Sequence, residues 1–483
     1  MASGQETETR PGGKTALILS AGAPHSPLMA GALCALWDTG RTFDVIYTSG
    51  AGCFLGLLYA APMRKSPKAA LESLVDLGIS DPIYRLLPVG YKTFLKPGPF
   101  SRPIRQFAQS FKIGSFPLTQ IDKPATGFGH AYNEWIKLWE TAQGGRLKRF
   151  YNDLVDLWAA AITPAPITYW SKGVCDSLPF LEETVDFKTL NDHHFPIHFY
   201  VNAFSITERH RALYASGTTT PSADYTAEDL QDLPTGNAGR GGSRSKSSRT
   251  SGLKMRLFHN RSGGIQPEQV RAAFAYPFIY PPVTIKDEVY FEGAARDPIS
   301  FGNLLVDEGP GRGVRAAVPD IERIVLIDIL AGLDRYLLRE PRDLWDAFSL
   351  SILAPAVAHA QKEIARFHTA LREANEDLVE ADRAIQRDAG RTAQAPETPA
   401  TPAERRRRKE EALMRLSPTD QALARITHFK QMSFDIDEEL GPHITDWSYS
   451  NMSRLFEIGL RDGKKFWQKN LDALALPLDH HPR

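Results

Sequence analysis

Cysteine is scarce: the 483 residues hold Cys34, Cys53 and Cys175, an odd and widely spaced set. Such a set excludes a disulfide framework and the paired spacing of a zinc site, and it suits buried thiols in a reducing cytoplasm. Net charge is missing too, since 57 basic residues balance 57 acidic ones. Without a global field, nucleic acid is not an expected partner, and any electrostatic contact must be local. No run reaches the roughly 18 apolar residues that a membrane-spanning helix needs. The N-terminal stretch MASGQETETRPGGK lacks the apolar core of a secretory signal. The expectation is a cytoplasmic protein, at most peripheral at the inner face of a membrane. Ala21 to Ser26 has no G-x-G-x-x-G, and no P-loop occurs anywhere. No acidic loop has calcium-binding spacing, so neither a metal nor another cofactor is expected.

One stretch is short of a single sign of charge. Between Asp81 and Asp122 there is no acidic residue, while Arg85, Lys92, Lys96, Arg102, Arg105 and Lys112 alternate with tyrosines and phenylalanines. Cations for headgroups and rings for the interface are what contact with an anionic membrane requires. The same residues also suit a cap that packs its rings over a sheet and leaves its cations in water. Asp192, His193, His194 and His198 hold metal-ligand types, but the stretch leads into a strand, whose alternate residues face opposite sides. They are not expected to converge.

What is present is an alternation of strands and helices. Thr15 to Ser20, Leu28 to Trp37, Phe43 to Thr48 and Cys53 to Ala60 read as strand, helix, strand, helix. That order predicts a parallel sheet with flanking helices. Further strands are expected at Pro196–Phe204, Lys254–Phe258, Glu288–Phe291 and Arg323–Ile329. Thr235 to Gly252 reads as a flexible Gly/Ser/Arg loop. Val357, Ile364, Phe367, Leu371, Ala374, Leu378, Ala381 and Ile385 recur at threes and fours, the seam of a long amphipathic helix. Packing on a helix around Leu413 to Ile426 is expected; self-association through 357–385 is the sharper alternative.

The second strand runs into Ser49-Gly50-Ala51-Gly52 and then an apolar helix. A serine on a tight strand-to-helix turn has its hydroxyl lifted clear of the backbone, faced by the N–H groups of the first helical turn. By itself the segment reads equally as an ordinary turn. Three other segments bear on it: the loop Ser20-Ala21-Gly22-Ala23-Pro24-His25-Ser26, the helix and proline turn Val270-Arg271-Ala272-Ala273 to Pro281-Pro282-Val283, and the strand end Tyr290-Phe291-Glu292-Gly293-Ala294.

In that order the chain resembles the patatin-like phospholipases over about residues 14 to 330. Members carry a G-G-G-x-[RK]-G oxyanion loop, a G-x-S-x-G elbow and a D-G-[GA] turn with the catalytic aspartate. The resemblance implies a three-layer α/β/α fold with a central, mostly parallel sheet and a helical C-terminal extension. It divides the chain into a disordered N-terminus (1–13), an acyl hydrolase domain (14–335, with insertions at about 80–170 and 220–252), a helical extension (336–445, with a disordered linker at about 390–408) and a C-terminal helix on the core (446–475). It also implies an activity: Glu292 takes the Ser49 proton as Oγ attacks an ester of a phospholipid or related lipid. The N–H groups of Gly22, Ala23 and Gly50 hold the oxyanion, and an acyl-enzyme follows. His25 stands where the family has a basic residue and is a candidate substrate contact; Asp297 is a second candidate base.

Departures from the family pattern are concentrated at the site. Ala21 and Ala23 replace glycines, Tyr47 and Ala51 replace the elbow glycines, and Glu292 replaces aspartate. Tyr47 is the most awkward, because the turn above it prefers glycine. The alternative expectation is therefore a catalytically degenerate scaffold of the same fold that binds lipid or a protein partner.

Overall fold

The computed structural model describes residues 13–22, 25–86, 149–150, 153–154, 157, 172–173, 178, 181–206, 255–261, 263–277, 279–295, 298–299, 301, 305–307, 314–316, 321–330, 340–341, 344–392, 401–436 and 446–477. The expected N-terminal tail, most of the insertion at 80–170 and the Thr235–Gly252 loop lie outside the described residues, as do Ala23 and Asp297.

Strand β1 (Lys14–Leu19), helix α1 (Ser26–Asp38), β2 (Val45–Thr48) and α2 (Ala51–Ala60) form the expected opening alternation. Five strands run parallel in the order β10 (His428–Met432), β9 (Ile321–Ile327), β1, β2 and β3 (His198–Ser205). Beyond β3 the sheet turns antiparallel, through β4 (Met255–His259), β6 (Glu288–Glu292) and β5 (Val283–Ile285). The sheet is thus mixed. Its antiparallel side depends on a tight hairpin between β5 and β6, where Lys286 and Asp287 both take positive φ, at 47° and 65°. Two consecutive positive-φ residues suit the right-handed twist of a hairpin. A separate two-stranded ribbon joins β7 (Leu305–Asp307) to β8 (Val314–Ala316).

Both faces of the sheet are covered, so β1 and β2 are almost continuously apolar. Alternation sorts their side chains. Leu17, Leu19, Ile46, Phe199 and Val201 join the cluster under α1 and α2. Ala16, Ile18, Val45, Tyr47 and Tyr200 join the other, with Val357, Ile364, Phe367 and Leu371 of the long helix. That helix, α4 (Leu344–Thr392), lies after the short α3 (Pro267–Ala273) and before α5 (Pro402–Arg415) and α6 (Pro418–Ala424). Leu413, Leu423 and Ala424 share the cluster with its seam, so the chain itself covers much of the apolar stripe.

The linker expected over 390–408 is helical at both ends, because α4 runs on to Thr392 and α5 starts at Pro402. The reason is local: Thr401 and Glu404 form a capping box with Pro402 at the first helical position. The arginines at 405–408 are therefore in a helix. Finally α7 (Tyr449–Leu474) lies along α1. Trp467 is its anchor, donating from Nε1 to the Ala32 carbonyl at 3.0 Å and meeting Phe43 edge-on.

Candidate active site

The parallel strands end together, and the loops after β1 and β2 meet at that carboxyl edge, where ligands of open α/β sheets bind. What completes the corner is the pairing of β3. One edge of β3 is taken by β4 along Tyr200 to Phe204. The other edge is taken first by β2, up to Thr48 opposite Val201, and then by β6, from Glu292 opposite Ala203. The carboxyl ends of β2 and β6 therefore meet nearly head-on, separated along β3 only by Asn202.

Ser49 is the residue beside that gap. Its N–H still donates to the Leu19 carbonyl at 3.1 Å, so it continues the β1–β2 ladder by one residue. Ladder alternation then puts its side chain on the face of Val45 and Tyr47, the α4 side, and Asn202 projects there as well. Asn202 Nδ2 donates to Ser49 Oγ at 3.1 Å, and Ser49 is 0% exposed. The hydroxyl is not lifted clear of the backbone as the sequence pattern suggested.

The sharp turn belongs to the next residue. Gly50 has φ 48° and ψ −125° and caps α2. This is a backbone conformation that costs a residue with a side chain on the order of 1–3 kcal/mol. A Cβ added at Gly50 would run into Glu292 Oε1, with Ala21 Cβ 3.0 Å and Ala294 Cβ 3.3 Å away. Its N–H is among the open donors at the start of α2.

Glu292 ends β6, held by its N–H to the Ala275 carbonyl at 3.1 Å. Burial lifts its carboxyl from 4.5 to about 8. Near neutral pH the protonated form therefore predominates.

The loop after β1 is only partly open to a ligand. Ala21 donates its N–H to the Pro298 carbonyl at 2.9 Å, and the Gly22 carbonyl accepts from His25 N–H at 3.1 Å. His25 is buried with no partner among the described residues on either ring nitrogen, and burial alone lowers its pKa to about 3. It is a neutral imidazole inside the fold. Among the described residues no group of three or more His, Cys, Asp or Glu side chains could hold a metal ion; His193 is exposed, and His198 stacks on His259 with centroids 5.5 Å apart.

Tyr47 finds its room beneath the sheet, not beneath the turn. It stacks on Tyr200 at 4.6 Å, and Tyr200 stacks on His259 at 4.2 Å. The large residue at the elbow is accommodated because strand alternation directs it to the α4 face. Sequence reasoning brought Ser49, Gly50, Gly22 and Glu292 to this region and missed Asn202 and the role of Gly50. The spacing Gly52–Gly56 was an available signal. An added Cβ at Gly52 would meet the Leu19 carbonyl oxygen at 2.5 Å, which fixes where α2 presses on β1.

A family model described as patatin-like phospholipase matches residues 17–305. No curated protein matches the chain. Among solved structures, VipD from Legionella pneumophila is similar at 12% identity, over 95% of this chain and 67% of that one, with a TM-score of 0.31.

Proposed function

The chain belongs to the patatin-like phospholipase family, whose general activity is lipid acyl hydrolysis, and from that premise we propose that it holds a lipid ester at the corner of β2, β3 and β6 without passing the acyl group to Ser49. The supporting observation is the Ser49 hydroxyl, which is fully buried and engaged by Asn202 Nδ2 at 3.1 Å. A nucleophilic oxygen has to reach a carbonyl carbon to about 3–3.5 Å. Among the described residues, Ser49 Oγ is enclosed on the α4 face and turned away from an ester at the strand ends. Burial also favours the protonated form of Glu292, whose carboxyl is lifted to about 8.

A second reading is the serine hydrolase itself, with Ser49 and Glu292 as the dyad and Gly22, Ala23 and Gly50 as oxyanion donors. It draws on the family's activity and on the head-on approach of β2 and β6, which brings both residues to one corner. It needs the Ser49 side chain released from Asn202 and Glu292 deprotonated, so its turnover would rise with pH through about 8.

Labelling with a fluorophosphonate probe separates the two. The native chain and Ser49→Ala are expected to be equally unreactive and to hydrolyse phospholipid, lysophospholipid and p-nitrophenyl esters no faster than buffer. Both are expected to bind a fluorescent lysophospholipid. Labelling of the native chain that disappears in Ser49→Ala would establish the hydrolase instead. Contact with an anionic membrane through the basic and aromatic stretch after Asp81 belongs to the same reading. Vesicle binding indifferent to anionic lipid content removes it.

A further inference from the structure

We propose that position 50, one residue after Ser49, is the nucleophile's place in this elbow, and that Gly50 and Glu292 form an interlocked pair in which the longer carboxyl side chain fills the room a side chain at 50 would need. The inference rests on the reading that Ser49 does not turn over, and it says why.

A nucleophile elbow sets its residue on a sharp, strained strand-to-helix turn, directly before the helix whose N–H groups face the oxyanion. Ser49 does not meet that description, being still in the ladder with its N–H on the Leu19 carbonyl. Gly50 does: it has φ 48° and ψ −125°, and α2 starts at the next residue. The direction of its missing side chain is the second observation. A Cβ at position 50 points at Glu292 Oε1 and lies between Ala21 of the loop after β1 and Ala294 of the turn after β6. Nucleophile beside carboxylate, with the oxyanion loop opposite, is the arrangement of a serine–carboxylate pair. Here one partner is glycine and has no side chain. The other has a methylene more than aspartate, and its oxygen stands where a side chain at 50 would go.

The pair is therefore coupled: a side chain at 50 is blocked by the carboxyl at 292, and shortening 292 makes space for it. Restoring both yields a working pair. In that variant the hydroxyl installed by Gly50→Ser attacks the phosphorus of a fluorophosphonate, fluoride leaves, and the hydroxyl proton passes to the shortened carboxylate. Shortening also withdraws the carboxyl from contact with the Gly50 backbone.

The test is a double-variant cycle on the full chain, read by thermal unfolding and by probe labelling. Gly50→Ser in the native background is expected to lower the melting temperature by several degrees. The loss should be clearly smaller when Glu292→Asp or Glu292→Ala accompanies it, because the collision is gone and only the backbone cost remains. Labelling should appear in Gly50→Ser with Glu292→Asp, on the order of 10²-fold above native and either single change, the scale of a positioned base. It should stay near background with Glu292→Ala. If Gly50→Ser costs the same whatever stands at 292, including loss of folding in every background, the interlock is refuted. A folded double variant that labels no faster than native refutes position 50 as the nucleophile's place. In either case a native chain without Ser49-dependent labelling leaves the lipid-holding reading intact. Ser49-dependent labelling of the native chain overturns that reading and this inference together.

Discussion

Glu292 and His25 are both buried ionisable groups, and burial keeps each uncharged, with opposite consequences for pH. For Glu292 the folded pKa of about 8 lies above the value of 4.5 for a free carboxyl, so the native state keeps a proton that the unfolded chain has released. Its stabilising contribution is complete below about 4.5 and is lost as pH rises through about 8. Glu292→Gln is neutral at every pH and cannot lose it. Between pH 6 and 9 the native melting temperature is therefore expected to fall relative to Glu292→Gln; parallel curves across that range would show a carboxyl that ionises normally. His25 runs the other way. Its contribution is present above the ordinary histidine value of 6.5 and is lost as pH falls through about 3. The residue types at both positions were visible in the sequence. Their charge states were not, because desolvation depends on what the fold stacks around them.

Among elements, the contact of α7 with α1 depends on the absence of side chains. An added Cβ at Gly459 would collide with the Leu28 carbonyl oxygen, and one at Gly463 would come within 2.8 Å of Ala32 Cα. Two helices this close let Trp467 reach across to the Ala32 carbonyl and fill the space beside Phe43. Gly459→Ala is expected to cost about 1–3 kcal/mol, the range for overpacking a filled core, measured by denaturant unfolding. An unchanged midpoint would mean that the helices separate freely. Glycine inside a helix lowers helix propensity, so in the sequence these positions look like weakness. They become intelligible only against α1. The seam of α4, by contrast, was legible from its spacing, since amphipathic periodicity is a local property. Strand β10 was not, because HFKQM is mostly exposed along an edge and lacks an apolar signature.

At the scale of the whole molecule, much of the α4 stripe is covered by the chain's own following helices. Leu371 sits in the same buried cluster as Leu413 and Leu423 of the chain's own following helices. Leu371→Ala is expected to cost about 2–5 kcal/mol of stability with no change in the mass measured by light scattering. A shift in oligomeric state would restore self-association through 357–385. Among the described residues, no helix is long and apolar enough to cross a membrane. The alternation of the first half, the seam of the long helix and the residues that carry the family pattern are all legible from the chain alone. Each of these is written in local spacing, in hydrophobic periods and in the order of motifs. Which of two adjacent residues, Ser49 or Gly50, is the corner depends on the folded sheet. A step of one residue at a strand end moves a side chain from one face of the sheet to the other. That face was fixed by how far β2 stays paired with β1 and by where β6 takes over the edge of β3, contacts between segments about 30 and 90 residues apart in the chain.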